Sequence, residues 1–198
     1  MSATPATSVK IVVAGAYAAG KTTFIRSVAD GGVVSTETVP SDGSGTKATT
    51  TAAMDFGRLA IDEGSGAGRT ELLLFGMPGQ ARFEFMWRIL VQGALGYVLL
   101  VDASKPETWR ETVVIDATLA MGARLPRVVA VNRTGPEQDL HQIAETLGIE
   151  PEVPIVVCDP RDRSSALEVL LTLFLEIAGR EPPAAGDGVA VTATGGWK

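Results

Sequence analysis

Six short apolar runs punctuate the chain, at positions 9–14, 52–61, 70–75, 96–102, 127–131 and 154–158. Those at 9–14, 97–101 and 128–131 are almost unbroken in Val, Leu, Ile and Ala, the pattern of parallel strands buried on both faces. The second and third runs are joined only by positions 62–69, which hold three glycines, so this pair is expected as an antiparallel hairpin. Between the other runs the apolar positions change to helical spacing. Positions 21–29 follow a glycine turn, 84–92 carry Phe85, Ile89 and Leu90, and 164–178 place Leu167, Leu170, Leu171, Phe174 and Ile177 on a core-facing stripe. Two signatures read as capping boxes. Ser104 with Glu107 opens a helix that stops at Gly122, and Thr134 with Glu137 opens one with Leu140, Ile143, Ala144 and Leu147 at core spacing. Strand, helix and hairpin, then alternating helix and strand, predict an α/β layer fold around a mostly parallel sheet.

Two stretches break the pattern. Positions 31–50 are Gly, Ser and Thr with almost nothing large to bury, and are expected as a long mobile loop of the kind that is often functional. Positions 181–198 are Pro, Ala, Gly and Thr, and are expected to be disordered. The remainder suits one domain with a sizeable core, since 45% of the 198 residues are hydrophobic. Lys and Arg total 17 against 23 Asp and Glu, a net charge of -6. That balance argues against a broad surface for nucleic-acid phosphates and against docking on anionic lipid. A lone cysteine, Cys158, and a lone histidine, His141, exclude a disulfide framework and Cys- or His-rich metal sites. Cys158 is expected as a small buried strand-end residue and His141 on a helix surface. With no apolar leader, no membrane-span-length apolar stretch and no C-terminal prenylation cysteine, a soluble cytoplasmic protein with no membrane anchor is expected.

The first strand runs into Gly15-Ala16-Tyr17-Ala18-Ala19-Gly20-Lys21-Thr22, which fits G-x-x-x-x-G-K-[ST]. Strand, loop and helix in that order are the context this phosphate cradle requires. Gly15 and Gly20 let the backbone wrap a phosphate, and the N–H groups around Ala18 and Ala19, with the helix start at Thr23, present partial positive charge. Lys21 reaches the β and γ phosphates, and the Thr22 hydroxyl is placed for Mg²⁺.

Two later segments narrow the class: Thr49-Thr50-Thr51-Ala52-Ala53-Met54-Asp55-Phe56, and Leu74-Phe75-Gly76-Met77-Pro78-Gly79-Gln80. With GAYAAGKTT, LLLFGMPGQARFEFMW and VLLVDAS, the chain resembles the Ras-like small GTPases, in particular the MglA-like prokaryotic branch and, within it, the conservon-encoded (CvnD-type) proteins of actinobacteria. The resemblance implies a P-loop NTPase three-layer fold, a Ras-like G domain whose six-stranded, mostly parallel sheet has one antiparallel edge strand. It implies a nucleotide-binding domain at 9–179 between a flexible 1–8 and a disordered 180–198. It implies GTP/GDP and Mg²⁺ as cofactors, Thr51 as the first-switch threonine that completes the Mg²⁺ shell, Gly79 as the second-switch glycine, and Gln80 as the group orienting the attacking water. Thr49 and Thr50 compete with Thr51 for its role.

The chain also departs from that pattern. Gly76 stands where most Ras-like proteins have a Mg²⁺-linked aspartate, and Asp55, on the second predicted strand, is the expected replacement. Thr50 stands where MglA has an arginine; Arg82 and Arg88 lie beyond Gln80, where they could approach the phosphates but more simply form a solvated helix face. The base-reading Asn-Lys-x-Asp is here Asn132-Arg133-Thr134-Gly135, with no carboxylate at the last position. Asp159 and Asp139 are the possible substitutes. Cys158 and Asp159 match the family's final base loop, where the Asp159 N–H would contact the base.

The leading expectation is a nucleotide-dependent switch that hydrolyses GTP slowly, with Lys21 and Gln80 as its catalytic groups. A degenerate scaffold with weak or no nucleotide turnover is the alternative, and an adenine-nucleotide enzyme the third. The resemblance implies Roadblock/LC7-type regulators and a sensor-kinase complex as partners, with peripheral recruitment to a membrane complex. Phe83, Phe85, Met86 and Trp87 cannot all face inward from one helical turn, so one or two are expected exposed as a docking surface.

Overall fold

Each apolar run forms a strand. The computed structural model describes residues 7–35, 54–62, 69–121, 125–135 and 138–180. Along the chain these form β1 (Thr7–Gly15), α1 (Lys21–Val28), β2 (Val34–Ser35), β3 (Asp55–Asp62), β4 (Arg69–Gly76), α2 (Glu84–Val91), β5 (Gly96–Asp102), α3 (Trp109–Ala120), β6 (Arg127–Asn132), α4 (Leu140–Leu147), β7 (Ile155–Val157) and α5 (Arg163–Ala178). They build one seven-stranded sheet in the order β2-β3-β4-β1-β5-β6-β7. β1 runs parallel to β4 and β5, and β5, β6 and β7 continue parallel.

The sheet corrects the expected strand number and edge. β3 is antiparallel to β4, as the hairpin spacing predicts, but it is not the edge strand, because Val34–Ser35 pairs antiparallel outside it with Phe56 and Asp55. A two-residue bridge has no alternation to detect, so its Gly- and Ser-rich surroundings hide it. β1 begins at Thr7, where Thr7 and Ser8 continue the register with Thr70 and Glu71.

Alternation along the buried strands serves two cores. Ile11, Val13, Val98, Leu100 and Val128 face α1 and α5, where Phe24, Ile25, Val169 and Leu173 meet them. Val12, Ala14, Leu99, Val101 and Val131 face the other way, onto Trp87 of α2, Ile115 and Leu119 of α3 and Ile143 of α4. Near-continuous apolar strands are what a sheet covered on both faces demands.

Two helix starts also differ from expectation. The Ser104 hydroxyl donates to the Asp102 carboxylate at 2.6 Å rather than capping a helix, and α3 is entered through a single 3₁₀ turn at Pro106–Thr108. α4 begins at Leu140 and is capped by Asp139, whose carboxylate accepts the His141 N–H, rather than by Thr134. Gly122, Pro136 and Glu137 lie outside the described residues. His141 is exposed, as expected. Among the described residues no helix is long and apolar enough to cross a membrane.

The topology positions the site. The carboxyl ends of β1, β4, β5, β6 and β7 open onto one edge of the sheet, and the antiparallel β3 adds its first residue there through the Asp55–Gly76 register pair. The chain turns to opposite sides of β1, so this edge holds the crevice where open α/β sheets bind ligands.

Candidate functional site

The loop 15–20 leaves β1 and closes into α1. Gly15 and Gly20 take φ of +142° and +112°, conformations that side chains resist, and Ala18 is left-handed at +61°. Among the described residues only Ala18 and Arg133 are non-glycine residues of positive φ, and both stand at this edge, where strained backbone commonly marks function. The Lys21 ammonium folds back over the loop and donates to the Gly15 carbonyl at 2.8 Å and the Ala16 carbonyl at 2.7 Å. Burial pushes this lysine down to about 8, against the opposing pull of the Glu111 and Asp55 carboxylates. Glu111, in the first turn of α3, carries no motif signal; only the packing of α3 brings its charge to bear on the loop.

Beside Lys21 the Thr22 hydroxyl donates to Asp55 at 2.5 Å. Asp55 is buried, 8% exposed, so it does not face solvent on an alternating strand. The glycine across the strands makes room for it: a Cβ on Gly76 would lie 2.9 Å from the Asp55 Cβ and 3.2 Å from its carboxylate. A carboxylate at one of these two register partners therefore excludes a side chain at the other. Two hard oxygens, from Thr22 and Asp55, could hold Mg²⁺, which keeps several waters and needs few protein ligands. Among the described residues no group of three or more His, Cys, Asp or Glu stands together, so a fully protein-built metal cage is not formed there.

The segment after β4 lies against the same loop. The Met77 N–H donates to the Val13 carbonyl, and the buried Trp87 indole donates to the Pro78 carbonyl at 2.8 Å, tying the segment to α2. Gly79 touches the phosphate loop so closely that a Cβ there would stand 2.5 Å from the Gly15 carbonyl oxygen and 2.7 Å from the Tyr17 nitrogen. Gln80 follows, half-buried. Of the four large residues beyond it, Phe83 and Trp87 are buried, Met86 is half-buried and Phe85 is exposed. Arg82 and Arg88 are exposed, and the Arg82 guanidinium lies over the Phe83 ring. Thr49, Thr50 and Thr51 lie outside the described residues.

On the far side of the loop is a cleft of about 520 Å³, bordered by Gly20, Thr23, Asn132, Arg133, Asp159 and Arg161. Asn132 locks it to the phosphate loop, its amide donating to the Ala19 carbonyl at 3.1 Å. Arg133, turned by its positive φ, pairs with Asp102, which is 2% exposed. Asp102 also accepts the Ser104 N–H and hydroxyl. The sequence signal for Asp102 is its carboxylate two residues before a serine, an Asx turn that the competing capping-box reading obscured. The Asp159 N–H donates to the Ser165 hydroxyl oxygen, so it is engaged within its own chain rather than aimed at a base. The Asp159 carboxylate is gripped by Arg161, which holds it down at about 2. Cys158 is buried, and burial raises its thiol to about 11, far from a nucleophile.

Residues 31–142 match the model of a family described as conserved hypothetical ATP binding proteins. That stretch takes in Asp55, Gly79, Gln80 and Asn132, and the phosphate loop lies ahead of it. The uncharacterized protein MJ1339 of Methanocaldococcus jannaschii is 31% identical over 127 residues, 64% of this chain and 70% of that protein.

Proposed function

Since this chain belongs to the family of conserved hypothetical ATP binding proteins, we propose that it is a nucleotide-dependent switch that binds a Mg²⁺–nucleoside triphosphate at the β1–α1 loop and hydrolyses it slowly. The likeness to MglA- and conservon-type small GTPases supports the switch. The carrying observation is the Thr22–Asp55 pair beside Lys21, an oxygen pair and a cation at the mouth of a phosphate-shaped loop. Thr22 and Asp55 would hold Mg²⁺ through their side-chain oxygens, and Thr51 would complete the set. When bound, Mg²⁺ neutralises charge on the β and γ phosphate oxygens. Lys21 turns from the loop carbonyls to the phosphates, the loop N–H groups and Gly79 hold the γ phosphate, and Gln80 orients water for in-line attack. The Arg82 guanidinium lies over the Phe83 ring, and with no arginine assigned to the transition state the reading expects a slow intrinsic rate. The exposed Phe85 and Ile89, one helical turn apart on α2, suit a Roadblock/LC7-type regulator of the nucleotide state.

Purified protein with Mg²⁺ and nucleoside triphosphate should release phosphate. Gln80→Leu should slow release by on the order of tenfold to a hundredfold while nucleotide affinity holds. An unchanged rate removes Gln80 from the mechanism.

The lysine makes affinity depend on pH. Lys21 gives up its proton near pH 8 in the free protein, whereas a surrounding triphosphate keeps it charged to higher pH. Binding above that point takes up a proton, so affinity should fall by about tenfold per pH unit there, and be flat below. Calorimetry from neutral pH upward, in two buffers of different ionisation enthalpy, reads both the slope and the proton. An affinity flat across the range contradicts the assignment.

One observation favours a second reading, a partner-binding scaffold without turnover: the Gly15 and Ala16 carbonyls already accept two of the three Lys21 ammonium N–H groups. Calorimetric silence with ATP, ADP, GTP and GDP would favour it.

A further inference from the structure

We propose that Trp87 is a positioning residue for the γ phosphate: its indole N–H fixes the peptide between Pro78 and Gly79, and so aims the Gly79 N–H. This rests on the nucleotide-binding reading and adds to it a buried residue of α2 that acts through Gly79.

The constraint is built one peptide at a time. The Met77 N–H donates to the Val13 carbonyl at 2.9 Å, which carries the β4–β1 pairing one residue past Gly76. At Pro78 the ring fixes φ and removes the N–H. The Pro78 carbonyl then accepts the Trp87 indole N–H at 2.8 Å, in a buried bond. Trp87 is wholly buried in the core that β1 and β5 share with α2 and α3, so packing holds the donor in place.

The Pro78–Gly79 peptide is planar and trans, so its carbonyl and its N–H point opposite ways. With the Pro78 oxygen turned to Trp87, the Gly79 N–H is turned away from the α2 core. Gly79 is buried, and among the described residues no group accepts its N–H. Buried backbone N–H groups are nearly always paired, so a donor held in a fixed direction without a partner points to a ligand acceptor. Gly79 rests on the backbone of Gly15, Ala16 and Tyr17, where the acceptor that fits is an anionic phosphate oxygen. A glycine cannot keep such a direction by itself, because its backbone is the least restrained of any residue. A buried indole needs some acceptor in any case, and a purely structural Trp87 would make the same bond with no bearing on the nucleotide. Discrimination of the γ phosphate separates the two roles.

The full chain with Mg²⁺ is titrated calorimetrically with the β,γ-imido analogues of ATP and GTP, and with ADP and GDP. The parent should prefer the triphosphate form of whichever base it binds. Trp87→Phe keeps a buried ring and loses the N–H. It should weaken the triphosphate analogue by about fivefold or more and leave the diphosphate within about twofold. Phosphate release from the hydrolysable triphosphate should slow by on the order of tenfold. Lost packing alone would lower the melting temperature and move both affinities together. Benzothienylalanine at position 87 keeps the indole's shape and puts sulfur in place of the N–H, so it repeats the comparison in a filled core and should give the same selective loss. If both variants keep the parent's triphosphate preference and rate, the positioning role is wrong while the nucleotide reading stands. A parent that binds di- and triphosphate equally also overturns it, since Gly79 then meets no γ phosphate. A parent that binds neither removes the nucleotide reading and the positioning role with it.

Discussion

Replacing Asp55 by alanine is expected to cut nucleotide affinity in Mg²⁺ by about tenfold or more, and to erase most of the difference between Mg²⁺ and chelator. The nucleotide-free protein should melt close to the parent. Asp55 is 8% exposed, and its partner in the described structure is the single hydroxyl of Thr22. Its charge also faces the buried Lys21 ammonium, so its removal trades a desolvated carboxylate for a less compensated lysine and leaves the free protein's stability little changed, even as it disables the proposed metal site. A merely structural Asp55 would give the opposite pair of results, a lower melting temperature with Mg²⁺ dependence intact. The register partner extends the test. Gly76→Asp alone should destabilise by about 1–3 kcal/mol, because its Cβ would meet Asp55 and the Ile25 tip at 2.9 Å each. In an Asp55→Gly background that collision with Asp55 disappears, and a carboxylate from β4 should recover part of the Mg²⁺ dependence. Titration of Mg²⁺ against bound nucleotide in the four proteins reads the whole cycle.

Gly79→Ala should lower turnover by on the order of a hundredfold, the scale of an ångström's misplacement in a catalytic site. The added methyl would stand 2.5 Å from the Gly15 carbonyl oxygen, 2.6 Å from the Ala16 carbonyl carbon and 2.7 Å from the Tyr17 nitrogen. All three are backbone atoms of the phosphate loop, so no side-chain rotation relieves them. Either the 78–80 segment lifts away and takes Gln80 with it, or the loop deforms beneath Lys21, which donates to that same Gly15 carbonyl. Lifting lowers turnover with affinity retained; deformation lowers both. Single-turnover phosphate release beside calorimetric affinity separates the two, and full activity in Gly79→Ala would show that the contact does not persist when nucleotide is bound.

Legibility in the sequence followed the range of the interaction. The β5 run, at 96–102, was readable residue for residue, because a strand covered on both faces must be apolar throughout. The G-x-x-x-x-G-K-[ST] motif of the β1–α1 loop was visible because its glycines and lysine are neighbours in the chain. Val34–Ser35 was not, since a two-residue bridge owes its existence to Asp55 and Phe56 beyond it. The Ser104 cap misled because a capping signature competes with whatever else its hydroxyl can reach, here Asp102, and the Thr134 cap because Asp139, nearer the helix, caps α4 instead.

The same division runs through the candidate site. By itself the sequence determined an α/β chain with a G-x-x-x-x-G-K-[ST] motif at its first turn, a glycine at position 76, and no carboxylate at the end of Asn132-Arg133-Thr134-Gly135. Those are local facts, written in adjacent residues. Only the tertiary structure decided that Asp55 fills the space Gly76 leaves, that Gly79 rests on the loop, and that Asp102 and Asp159 are taken by arginines. Each of those outcomes depends on a distance between strand ends or loops far apart in the chain. A side chain's partners are settled only when the sheet register brings its competitors within hydrogen-bonding reach.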